Sequence, residues 1–180
     1  MNLRRWWLCC GALWLAGVTV WAEPVDVIAI SSPAFAKGKP IPARYAMAEQ
    51  NISPELHFKA IPAKAKTLAL FVDDPDSPTG LWTHWLVWNL SVDTTSVPAG
   101  QLPGQAREGR NSFHHVRYDG PAPPAGTGIH RYFFRVYALD AVLDLGAGSD
   151  RASLLSAMNG HVVGTGETFG TYQYGPALSP

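Results

Sequence analysis

The sequence predicts a mainly β protein, an antiparallel β-sandwich with few short helices, and three observations carry that reading. Thr67-Leu68-Ala69-Leu70-Phe71-Val72 is a continuous apolar run closed by turn residues, the pattern of a strand buried on both faces. Two further apolar segments, Trp82 to Leu90 and Ile129 to Leu139, each follow a Pro/Gly-rich turn. Only one segment carries the punctuation of a helix. Asp150 is its N-cap, Arg151 to Met158 its body, and Asn159-Gly160 its left-handed stop. Strands in succession with one late helix argue against the alternating order of a parallel α/β sheet.

Taken in order, Val25-Asp26-Val27-Ile28-Ala29-Ile30 reads as a strand ended by Ser31-Ser32-Pro33. In the Trp82 strand, alternation places Trp82, His84, Leu86 and Trp88 on one face, and Thr83, Trp85 and Val87 on the other. In the Ile129 strand, His130, Tyr132, Phe134 and Val136 share a face, with Arg131, Phe133, Arg135 and Tyr137 opposite. The Gly-, Pro- and polar-rich stretch from Ser91 to Val116 reads mostly as loop. Val162-Val163 and Phe169-Gly170-Thr171-Tyr172 read as two short closing strands.

The first 22 residues have the pattern of a signal peptide. Met1 to Arg5 is a basic start, Trp6 to Val20 an uncharged apolar run, and Val20-Trp21-Ala22 a cleavage site. The run is short for a membrane span, which needs ~20 apolar residues. Cys9 and Cys10 lie too early in it for a lipoprotein signal. The expectation is one exported domain over residues 23–180, periplasmic or secreted, with no transmembrane segment. Both cysteines leave with the leader, so disulfides and thiolate chemistry drop out. Losing Arg4 and Arg5 leaves 12 basic against 14 acidic residues, a formal charge of −2. Such a surface gives no electrostatic case for nucleic acid or anionic membranes.

Two segments read as halves of one site. Asp74-Pro75-Asp76-Ser77-Pro78 leads to Trp82-Thr83-His84-Trp85, and Tyr118-Asp119-Gly120-Pro121 leads through Gly126-Thr127-Gly128 to His130-Arg131-Tyr132. Each delivers a histidine at the start of an apolar strand. If the short connection after Asp76 joins neighbouring strands, Asp74, Asp76 and His84 gather at one end of the sheet. If the His130 strand runs beside the Trp82 strand in the same direction, the two imidazoles converge, with Tyr132 deeper on the same face. Singly, each feature has a plainer explanation. Asp-Pro-Asp-Ser-Pro is a good turn, Gly-Thr-Gly a good hairpin connection, and a histidine among tryptophans a satisfied core residue. Arg131 and Arg135 face away from this pocket, and His57, His161, His114 and His115 read as surface or loop residues.

In order and spacing, the two motifs resemble the phosphatidylethanolamine-binding proteins, also called the Raf kinase inhibitor protein family. The resemblance rests on Asp74-Pro75-Asp76-x-Pro78, Trp82-x-His84 and the run from Tyr118-x-Gly120-Pro121 through Pro123-Pro124 and Gly126-Thr127-Gly128 to His130-Arg131-Tyr132. Asn51 to Leu56 and Tyr137 to Asp140 extend it over most of the chain. It implies a β-sandwich with a shallow pocket at one end for phosphate, phosphoethanolamine-type head groups or related small anions. Asp74, Asp76, His84, Pro124, His130 and Tyr132 would line the pocket, with Trp82 at its rim, and no cofactor is implied. Carboxylates repel phosphate, so one of the two is expected to face an imidazole, or to be protonated. Backbone amides of the Gly128 turn would help hold the anion. The chain ends soon after Tyr174, without the C-terminal helix of the mammalian proteins, which implies a more open pocket.

Three functions remain. The first is an exported, non-catalytic binder of small anionic ligands. The second is a protein-interaction module such as an exported protease inhibitor, using the loop from Ser91 to Arg110. The third is a metal-assisted hydrolase with zinc on Asp74, Asp76, His84 and His130. The sequence favours the first, because no close metal-ligand spacing or nucleophile elbow supports the third.

Overall fold

A computed structural model describes residues 25–175, so the leader expected at residues 1–22 lies outside the described residues. The elements run β1 (Asp26–Val27), β2 (Ala29–Ser31), a short 3-10 turn (Ala43–Tyr45), β3 (Leu56–Lys59), β4 (Thr67–Asp74), β5 (Trp82–Ser91), β6 (Ser96–Val97), β7 (Arg107–Glu108), β8 (His130–Leu139), α1 (Arg151–Met158) and β9 (Val162–Tyr172). Six strands form one open sheet in the order β1-β9-β8-β4-β5-β7, and three form a second, β2-β3-β6. Pairing is antiparallel except for β1, which runs parallel to β9.

All eight residues of β4 are buried, because the large sheet is covered on both faces. One face meets the small sheet in a core where Leu68, Leu70, Val72, Phe134 and Val136 pack with Leu56, Phe58 and Val97. The opposite face carries Ala69, Phe71, Leu86 and Trp88 against Leu154 and Met158 of α1 and Leu143. The helix starts as its sequence predicts, with the Asp150 carboxylate accepting the Ser153 N–H at 2.9 Å. Gly160, at φ +81°, follows its last turn.

Three strand expectations need correction. The segment 25–30 is divided between the two sheets, β1 pairing with β9 and β2 with β3, so its alternation never belongs to one strand. The two closing strands are a single strand of 11 residues, β9. Its glycines read as interruptions in sequence, but here they admit neighbouring chain. A Cβ on Gly166 would stand 2.1 Å from the Ile28 carbonyl oxygen, and one on Gly164 2.7 Å from the Pro62 ring.

The third correction concerns the faces of β5. Val72 pairs with Trp85 but the next residue, Asp73, pairs with Thr83, so β5 carries an extra residue at His84. A second irregularity follows near Asn89, which sits at φ +56°. Trp85, Val87 and Leu90 therefore face the core between the sheets, while Leu86 and Trp88 face the helix. Thr83 lies on the helix side, donating to the buried Asp73 at 2.7 Å. The bulge is what turns His84 onto the face of Tyr132, whose ring it meets edge-on at 5.1 Å.

A binding cavity at the end of the central strands

Because β4 is antiparallel to both β5 and β8, its last residue and the first residues of its two neighbours lie at the same end of the sheet. Asp74 ends β4, Trp82 opens β5 and His130 opens β8. The two histidine-bearing strands do run in the same direction, but β4 lies between them, and this puts Asp74 between the imidazoles. A cavity of about 190 Å³ opens here, lined by Asp74, Ser77, Pro78, Thr79, Trp82, His84, Phe113, Ala122 and Pro124. It is smaller than the ~300–1,000 Å³ of pockets for drug-sized ligands, and so has room only for a small group.

His84 is the imidazole on the cavity wall. Its Nδ1 lies 2.8 Å from the Asp119 carbonyl oxygen, which can only accept, so Nδ1 carries hydrogen. Burial pushes the His84 pKa down, against the opposing pull of that carbonyl and of the Asp74 charge. The ring is therefore neutral at neutral pH, and Nε2 keeps a lone pair.

His130 stands behind Asp74 rather than on the wall. Its Nδ1 is 2.7 Å from Asp74 Oδ2, and its Nε2 is 2.8 Å from Thr127 Oγ1. The single Thr127 hydroxyl hydrogen is directed at the Pro124 carbonyl, 2.8 Å away, so His130 Nε2 must be the donor to Oγ1. Asp74 Oδ1 also accepts the Asp76 N–H at 2.8 Å, so one carboxyl oxygen is held by the turn and the other by His130. The expected pairing of a pocket carboxylate with an imidazole takes this form. The Gly126–Gly128 turn is not on the cavity wall; its contribution is the Thr127 hydroxyl.

Asp76 was expected beside Asp74, but it turns to the opposite face of the sheet. Arg131 binds it through Nε at 2.8 Å and Nη2 at 2.7 Å, and the Arg131 N–H adds a third bond at 2.9 Å. These hydrogen bonds hold the Asp76 carboxyl below its usual range, against the pull of burial. The cause is the parity of β8: a residue beside His130 must point away from it.

Tyr132 is 1 % exposed and sits behind His84. Burial, with the Asp74 charge close by, pushes its phenol far above its ordinary pKa, so it remains a donor. The buried indole Nε1 of Trp82 makes no hydrogen bond, and Tyr132 Oη makes none of good geometry, although the Ala122 N–H and the Asp74 carboxylate stand close enough to act on it. Among the described residues, Arg151 Nε is the other buried polar side-chain atom without a partner. Trp82 lines the cavity, and Tyr132 lies behind it.

The residue that sequence reasoning missed is Asp119. Its side chain is fully buried and accepts from Asn51 Nδ2 at 2.9 Å, Asn111 Nδ2 at 2.8 Å, His115 Nδ1 at 2.7 Å and Arg117 Nε at 3.1 Å. Asn51 Oδ1 also receives the Gly120 N–H at 2.8 Å. The network fixes the peptide whose carbonyl orients His84, so His115 belongs to the support of the site rather than to a bare loop. His57 and His161 stay at the surface, paired with Glu55 and Asp140. Among the described residues no three His, Cys, Asp or Glu side chains converge as metal ligands. Asp74, Asp76 and His130 are each turned to another partner.

Two open sheets with a small, mostly apolar cavity edged by Asp74 and His84 at the end of the larger one define a β protein with room for a small ligand. The family description "Phosphatidylethanolamine-binding protein" matches residues 31–173, and the chain belongs to that family. A UPF0098 protein of Methanothermobacter thermautotrophicus is 47 % identical over 140 residues, 75 % of this chain and 91 % of that one. A crystal structure of a phosphatidylethanolamine-binding protein homologue from Chlamydia trachomatis superposes with a TM-score of 0.78 at 40 % identity, covering 83 % of this chain and 99 % of that chain. A Mycobacterium tuberculosis protein named lipoprotein LppC is 37 % identical over 152 residues, 84 % of this chain and 75 % of that one. The family is one of generally non-catalytic binding proteins. Among the described residues no helix is long and apolar enough to cross a membrane.

Proposed function

We propose that this protein is an exported, non-catalytic binder of a small anionic ligand, phosphate or a phosphoethanolamine-type head group, held in the cavity at the Asp74–His84 end of the sheet. The observation that carries this reading is a small cavity on which Asp74, His84, Pro124 and Trp82 converge, with the buried indole Nε1 of Trp82 left unpartnered. A ligand oxygen would accept from that indole. His84, Asp74 and Pro124 form the wall, His130 acts through Asp74, and Asp76 fixes the turn through Arg131. An amine on the ligand would find the Asp74 carboxylate. Export is supported by the basic start and apolar run of residues 1–22, and by a lipoprotein-named relative.

Calorimetric titration of the protein with phosphoethanolamine is expected to show saturable binding, tighter than for inorganic phosphate. His84→Ala should abolish it by removing the wall. His130→Ala should weaken it at least tenfold by removing the hydrogen-bond partner that holds Asp74 in place, a change of ~1.4 kcal/mol. No binding by the intact protein would remove the anion reading and favour the loop from Ser91 to Arg110 as a protein-interaction surface.

A further inference from the structure

We propose that the protein carries a second binding site, separate from the Asp74 cavity, for a small zwitterion with an apolar side chain, the chemistry of a free amino acid. The site is a cavity of about 260 Å³ between the segments 51–53 and 100–102, and it shares no lining residue with the first cavity. Much of its lining is apolar. Trp85 and Tyr118, 2 % and 6 % exposed, meet edge-on with ring centres 5.6 Å apart, and Ile52 and Leu102 add aliphatic surface. Two opposite charges, Glu108 and Arg117, line the same cavity without pairing with each other. Each is anchored to a buried group. Glu108 Oε1 accepts the Trp85 indole N–H at 2.7 Å, and Oε2 is left over. Arg117 gives its Nε–H to the buried Asp119 carboxylate at 3.1 Å. Its Nη2 lies 3.5 Å from His115 Nδ1, but that nitrogen already donates to Asp119 and has no lone pair to offer. The terminal nitrogens of Arg117 therefore have no acceptor among the described residues.

Opposite charges held apart on one small cavity select a ligand that carries both signs. An anion alone is repelled by Glu108, and a cation alone by Arg117. A zwitterion can set its ammonium group on the Glu108 carboxylate and its carboxylate on the Arg117 terminal nitrogens, both charge-assisted contacts. Because Trp85 and Asp119 already hold the two side chains, little rotamer freedom is lost on binding. Ser53 adds a donor. It is 3 % exposed, its Oγ accepts the Gly100 N–H at 3.2 Å, and its own hydrogen is left for a ligand oxygen. Ile52, Leu102 and the two rings then cover an apolar side chain, whose burial adds to the two polar contacts. The cavity volume, below the ~300–1,000 Å³ of drug-sized pockets, suits one amino acid.

The test is titration of the whole protein with L-leucine near neutral pH, followed in ¹H–¹⁵N spectra. Saturable shifts are expected in the amides of residues 51–53 and 100–102, Glu108 and Arg117, not centred on residues 74–82 of the first cavity. Three analogues each remove one contact: N-acetyl-leucine the ammonium group, leucinamide the carboxylate, glycine the apolar side chain. Each should bind about tenfold or more weakly than leucine. Glu108→Gln keeps an acceptor for the Trp85 indole but loses the charge. It should weaken leucine binding to a similar degree while the rest of its spectrum stays that of the wild type. Absence of leucine binding, equal affinity for any of the three analogues, shifts centred on residues 74–82, or undiminished affinity in Glu108→Gln would each overturn the second site. Its failure leaves the anion-binding reading standing, because that reading rests on a different cavity and is tested with a different ligand.

Discussion

Replacing Gly120 with alanine should cost roughly 3 kcal/mol or more and remove ligand binding in whatever fraction stays folded. A Cβ at this position would stand 1.8 Å from the Tyr45 carbonyl oxygen and 2.9 Å from its carbon. Those atoms are backbone, so no rotamer change relieves the overlap, and one chain segment has to retreat. The segment around Tyr45 is itself held, by Tyr118 Oη donating to the Tyr45 carbonyl at 3.3 Å and by the Met47 N–H donating to Pro121 at 3.1 Å. The retreat therefore falls on the Asp119–Gly120 peptide, which carries the carbonyl that fixes His84. Gly126 and Gly128 make the informative contrast. Both have positive φ, +81° and +84°, but a Cβ on either meets nothing within 4 Å. Alanine there carries conformational strain alone, roughly 1 kcal/mol. Thermal unfolding of the three variants should separate Gly120→Ala clearly from the other two. Similar melting temperatures for all three would show that the Tyr45 segment yields, and that the site is not pinned from this side.

The parts of the fold that sequence revealed are those fixed by one strand's own surroundings. Leu68 to Val72 is apolar throughout because both faces of β4 are covered, and the alternation from His130 to Val136 survives because β8 has no bulge on that stretch. The faces of β5 were misread because a bulge is a property of two strands: nothing in Thr83-His84-Trp85 alone shows that Val72 and Asp73 span three residues with two. The division of 25–30 between two sheets and the continuity of β9 likewise depend on which chain passes over the glycines.

At the site the same boundary holds. The motifs located the sheet end, the cavity and the carboxylate–imidazole pairing, since those follow from strand starts and ends. They did not show that Asp76 would turn to Arg131 or that His130 would stand behind Asp74, because those depend on how a bulged and an unbulged strand aim their first residues. Asp119 lay inside a quoted motif, yet read as one more turn aspartate. Its distinction is four donors arriving from Asn51, Asn111, His115 and Arg117, of which Asn51 lies 68 positions away in the chain.

Asp119→Ala should accordingly destabilise the protein by about 3 kcal/mol, through donors left behind rather than through lost volume. Arg117 and His115 are about half exposed and can return to water, but the Asn111 amide is buried and the Asn51 amide largely so. Each unsatisfied amide costs about 1–3 kcal/mol. The effect also has a pH signature. Burial pushes the Asp119 carboxyl up, but hydrogen bonds from Asn51, Asn111 and His115 and the charge of Arg117 outweigh it and hold the group below its usual range. The folded state thus binds this proton more weakly than the unfolded chain, whose aspartates titrate near ~3.9. The stabilisation is complete above that value and is lost as pH falls through the lower folded value. Urea unfolding between neutral and about pH 3 should show the wild type losing stability steeply below about pH 4, and Asp119→Asn losing it less steeply. Some slope should persist, because Asp76 and Asp150 are also held low by their own partners. An unchanged slope in Asp119→Asn would mean that the buried carboxylate does not hold its charge through the acid transition. The His84 carbonyl contact would then rest on the Asn51 and Asn111 amides and the backbone alone.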